Sequence, residues 1–150
     1  MANKSKCLVA LISLANVLIV ILAIIIMCLS LGCWNDYVTC TFTILIALCW
    51  SCCVCVENNV AISCYSVLMI LDMLFLLANA IYHSVMNKQY MDYCFRFDND
   101  KMSPDDGCDD WKRGHMHRSI GVIVCFFLTF LFRLFNIVGS CLLAHSLYES

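Results

Sequence analysis

The chain has 150 residues, of which 63% are hydrophobic and only 13% charged, with a net charge of −2. A soluble domain carries roughly 25% charged residues, so there is too little charge here to cover a water-facing surface, and the absence of any long basic run excludes a nucleic-acid partner. One Pro and five Gly are too few for the turns of a transmembrane β-barrel, which leaves helices, the other fold that satisfies its own backbone in lipid.

The first apolar segment, 8–31, holds 24 residues without a charge and would be about 36 Å long as a helix. It is too long for a signal-peptide core and reads as an uncleaved anchor. Gly32 to Asp36 form a tight turn carrying Trp34, a residue favoured at head-group depth. The second segment, 37–56, is rich in Thr and Cys and ends at Glu57-Asn58-Asn59. The third, 60–82, is interrupted by Asp72 and Asn79. A loop over 83–118 holds most of the charges, and the fourth segment, 119–147, contains Arg133 and Asn136. The expected fold is therefore an all-α integral membrane bundle of four transmembrane helices, a single domain over 1–150, with one small extracellular loop between helices three and four.

Orientation divides the charges. Lys4 and Lys6 before the first helix place the N-terminus in the cytoplasm by the positive-inside rule, whereas Lys88, Arg96, Lys101, Lys112, Arg113 and Arg118 pull the 83–118 loop inward. The first helix usually dominates, so both termini are expected to be cytoplasmic and the loop extracellular.

Three stretches stand out in order. Lys6-Cys7-Leu8 is followed by the intrahelical Asn16 and by Gly32-x-Trp34, Ser51-Cys52-Cys53-Val54-Cys55-Val56-Glu57-Asn58 closes the second segment, and Arg133 to Leu143 lies in the fourth. Together they resemble the tetraspanins: the second stretch is similar to that family's Gly-Cys-Cys-Gly-Ala-x-x-Glu-Asn turn and the third to its final helix. The chain departs from the family in its very short first turn and in a large loop that lacks the Cys-Cys-Gly signature, keeping Cys94 and a closing Gly107-Cys108. The resemblance implies a divergent or truncated member. Its function would be that of a non-catalytic scaffold in the plasma or endosomal membrane, with no cofactor. Its partners would be other integral membrane proteins, further copies of the chain, and membrane lipids, sterol among them.

Several side-chain groups carry that expectation. Asp72 lies 12 residues into the third segment and Arg133 14 into the fourth, so in antiparallel neighbours both sit near the midplane. A charge there costs about 2.5–3.5 kcal/mol. The two can neutralise each other and fix helix register, or serve as a docking charge for a partner; Asn16 and Asn136 would add interhelical hydrogen bonds. Cys7, Cys52, Cys53, Cys55 and Cys141 gather at the cytoplasmic face as candidates for S-palmitoylation, against the plainer reading of small apolar filler. Cys94 and Cys108 enclose 15 residues. A disulfide between them would restrict the unfolded loop by about 3 kcal/mol; in an inverted topology they would be free thiols.

No metal site is expected. Asp98-Asn99-Asp100 fails calcium-loop spacing because Met102 and Ser103 stand where a ligand and a glycine belong, and His115-x-His117 supplies only two ligands. Two other function classes compete. Cys49-Trp50-Ser51-Cys52 would suit a four-helix thiol oxidoreductase, but it closes the second helix at the face opposite the 83–118 loop. A small channel or junction protein would need a polar stripe, and only scattered Thr and Ser mark the second segment.

Overall fold

The computed structural model describes residues 2–30, 33–56, 59–99 and 116–148. Within them the chain forms α1 (Ala2–Leu29), α2 (Trp34–Val56), α3 (Asn59–Asn99) and α4 (Met116–Tyr148). Three are long and apolar enough to cross a membrane, over Lys6–Leu29, Val60–Asp92 and Met116–Ser146.

The helices outrun the hydropathy boundaries. α3 does not stop at residue 82 but continues as 41 residues to Asn99, about 62 Å, so its last turns project well past a hydrocarbon core of about 30 Å. Hydropathy falls after Tyr82, but neither Gly nor Pro occurs in the chain between Asn59 and Asn99, and polar helix formers continue a helix that is already nucleated. The stretch 83–99 is therefore helix, not loop. α2 likewise opens earlier than expected. The Cys33 carbonyl accepts from the N–H groups of Asp36 (3.1 Å) and Tyr37 (3.4 Å), which puts Asp36 in the first turn of the helix, where the macrodipole favours an anion.

The helices pack as a ring, α1 against α2, α2 against α3, α3 against α4 and α4 against α1. α4 runs antiparallel to α1: Gly139 sits beside Ile12 and Leu8, and Gly121 beside Leu29. Buried positions recur at alternating spacings of three and four, the knob positions of a bundle seam. In α3 they are Ile62, Tyr65, Met69, Asp72, Leu76 and Asn79; in α4, Val122, Phe126, Thr129, Arg133, Asn136, Ser140 and Leu143. Two apolar clusters fill the ends. Ile12, Ile46, Trp50, Tyr65, Met69 and Leu143 form one, with Ile26, Cys40, Leu76, Val122 and Phe126 in the other. Between them the seam is polar.

Candidate functional site: a polar seam bonded to every helix

Arg133 projects from α4 into the centre of the ring and is fully buried. Its Nε donates to Asp72 Oδ2 at 2.7 Å, and Nη2 lies 2.6 Å from the same oxygen. Nη2 also donates to the Thr43 carbonyl at 3.0 Å, and Nη1 to Asn16 Oδ1 at 3.3 Å. One side chain thus bonds α1, α2 and α3 from α4. The other Asp72 oxygen accepts from the Thr43 hydroxyl at 2.7 Å. Two charges in a dry interior are tolerable only when paired and surrounded by further hydrogen bonds, and here they are.

Asn16 is the second node. Its Oδ1 also accepts from Tyr65 Oη at 3.2 Å and from Asn136 Nδ2 at 3.1 Å. Tyr65 in turn packs against Trp50 at a centroid distance of 5.3 Å, and Trp50 Nε1 donates to Ser13 Oγ at 3.0 Å. The four residues singled out from sequence for intramembrane contacts, Asn16, Asp72, Arg133 and Asn136, lie in one connected network. Thr43 and Tyr65 belong to it too and were not anticipated.

A second polar layer lies nearer the α3–α4 connection. Asp36 is fully buried and receives His83 Nε2 at 2.7 and 2.9 Å from its two oxygens. The His83 ring stacks on Phe126 at 5.8 Å. One helical turn earlier, Asn79 Nδ2 donates to Thr39 Oγ1 at 2.6 Å and to the Phe75 carbonyl at 3.1 Å. Sequence reading placed Asp36 in a turn and His83 in a loop, and so missed this layer. The signal was present. Asp36, Thr39, Thr43 and Trp50 fall on one face of a helix, as do Asp72, Asn79 and His83.

The cysteines divide by exposure. Cys7, Cys52 and Cys141 are exposed free thiols at the end of the bundle where α1 begins and α2 and α4 finish. Cys53 is half-buried, packs on the apolar cluster there, and lies with its sulfur 3.8 Å from the Ala61 carbonyl. Cys49 and Cys52 are both exposed and unpaired. The side chains of Cys55 and Cys94, and all of Cys108, lie outside the described residues, as do the Asp98–Asp106 side chains and His115. Among the described residues no group of three or more metal-ligating side chains occurs. The chain matches no protein-family profile, no curated protein and no solved structure.

Proposed function

We propose that the chain is a four-span membrane organiser of the tetraspanin type, a non-enzymatic bundle that associates laterally with other membrane proteins. The observation that carries this reading is the inside-out distribution of polarity. Charged and amide groups close on one another within the ring. A third or less of each of the three apolar crossing segments is buried inside the protein, and large side chains such as Leu14, Leu45, Phe127 and Leu142 point outward, each more than half exposed. Such faces meet either lipid or other apolar helices. α2 makes the fourth span in this reading. It is held between its neighbours along its length, from Asp36–His83 at one end to Trp50–Ser13 at the other.

Acyl chains on Cys7, Cys52 and Cys141 would bias which neighbours are met, since two or more lipid anchors on one face add apolar area to it. Cys53, half-buried against the apolar cluster, is the poorer acceptor. With the termini cytoplasmic, a membrane-impermeant maleimide applied to intact cells labels the exposed Cys33 and spares Cys7.

Photo-crosslinkers placed at Leu14, Leu45 or Leu142 in native membranes test the organiser reading. A small recurring set of integral membrane proteins, diminished when Cys7, Cys52 and Cys141 are replaced by Ser, is the expected product. Crosslinks to lipid alone from all three positions would sink it.

A further inference from the structure

A cleft of about 260 Å³ opens between α1, α3 and α4 at the end of the bundle nearer the α3–α4 connection. Leu29, Met86 and Val122 give it an apolar wall, and Ser30, Asn87 and Arg118 are among its polar groups. Ser30 is 7% exposed, and its hydroxyl has no hydrogen-bond partner. The amide oxygen of Asn87 is buried and equally unpartnered. Buried polar atoms without a partner are uncommon in folded proteins; the others among the described residues, Asn16 Nδ2, Asn136 Oδ1 and Ser140 Oγ, belong to the seam, and these two line a cleft. Arg118 is exposed and makes no ion pair among the described residues. No Asp or Glu among the described residues lines the cleft.

The three groups together define their complement: an anion for Arg118, an acceptor for the Ser30 hydroxyl and a hydroxyl donor for the Asn87 oxygen. Depth adds the rest. The apolar run of α1 ends at Leu29, that of α4 begins at Met116 and that of α3 runs on to Asp92, so the cleft lies at the end of the apolar zone on α1 and α4, with Tyr82, a residue favoured at head-group depth, among its lining. Its volume falls below the roughly 300–1,000 Å³ that encloses a drug-sized ligand. It suits a head group whose chains remain outside in the bilayer.

We infer that this cleft binds the head group of an anionic, hydroxyl-bearing phospholipid, its phosphate held by Arg118 and Ser30 and a head-group hydroxyl donated to Asn87. The site requires only that the bundle sit in a bilayer, and so stands apart from the organiser reading. It differs in place from the groove on the other side of α3, which Lys88 lines with Val85, Val124 and Phe127.

The full-length protein in a non-ionic detergent, titrated with phosphatidylglycerol or phosphatidylcholine and weighed intact by native mass spectrometry, provides the test. One phosphatidylglycerol should be retained in preference to phosphatidylcholine by about tenfold, the weight of one charge-assisted contact. Arg118→Gln should erase the preference. Ser30→Ala should weaken it about threefold without lowering the melting temperature, because the hydroxyl it removes has no partner to lose. Lys88→Gln, an equal loss of charge at similar depth, should leave the preference standing. Equal retention of the two lipids, or equal losses in Arg118→Gln and Lys88→Gln, would overturn the inference. Displacement of the lipid by inorganic phosphate would also overturn it, in favour of a free-anion site.

Discussion

Replacing Arg133 with Leu removes a side chain bonded to all three other helices. Asp72 then keeps only the Thr43 hydroxyl at 2.7 Å, while Asn16 retains Tyr65 and Asn136. Breaking a buried pair by deleting one partner costs about 3–5 kcal/mol. At 2–4 °C per kcal/mol for a chain of this size, the midpoint should fall by about 6–20 °C. The companion variant, Asp72→Leu with Arg133→Leu, separates charge pairing from packing. Exchanging a buried pair for apolar groups is neutral or stabilising by up to about 4 kcal/mol, so the double variant should regain most of the loss. Thermal melts in one detergent, followed by far-ultraviolet circular dichroism, measure both. If the single variant melts with the parent, or the double variant falls below the single, the reasoning about the seam is refuted.

The glycines of α4 should respond in opposite directions. A Cβ at Gly139 would lie 3.0 and 3.1 Å from Ile12 carbons that are fully buried, so Gly139→Ala should cost about 1–3 kcal/mol, with Ile12→Val restoring part of it in the same melt. Gly121→Ala meets Leu29 at an ordinary 3.4 Å and should gain up to about 1 kcal/mol of helix propensity. Trp50→Phe keeps the ring against Tyr65 but loses the bond to Ser13; a drop of about 1 kcal/mol is expected, against about 3–5 for Trp50→Ala, and equal losses would show that the hydrogen bond contributes nothing. Partial burial first, and the Asp36 carboxylate second, push the Cys33 thiol above its ordinary range. Its thiolate is therefore scarcer at neutral pH, and the rate of alkylation by iodoacetamide should rise at higher pH than for an unshielded cysteine, with Asp36→Asn moving the profile part of the way back.

The bundle's interior explains why hydropathy saw its parts unequally. A charge inside an apolar run is conspicuous, so Asp72 and Arg133 could be singled out from composition and depth alone. Thr43, Tyr65 and Thr39 could not, since each is tolerated in a lipid-facing helix, and Asn79, conspicuous in its apolar segment, gave no sign of its partner. Only their three-and-four spacing set them apart. Reading a helix end from a fall in hydropathy failed at Tyr82, because hydropathy reports where the bilayer ends and not where the backbone stops being helical. No helix breaker occurs in the chain between Asn59 and Asn99, and Pro104 and Gly107 come only later.

By itself the sequence determined that the chain is helical and that segments of it are long and apolar enough to cross a membrane. Those are properties of single residues summed along the chain, since each side chain is transferred into lipid on its own account. The tertiary structure decided which residues satisfy one another. Asn16 and Arg133 are 117 positions apart, Thr43 and Asp72 29, and Asp36 and His83 47. In a bundle whose outward faces are as apolar as much of its core, hydrophobicity cannot say which face of a helix turns inward. The geometry of paired polar groups does, and that pairing exists only once the four helices stand together.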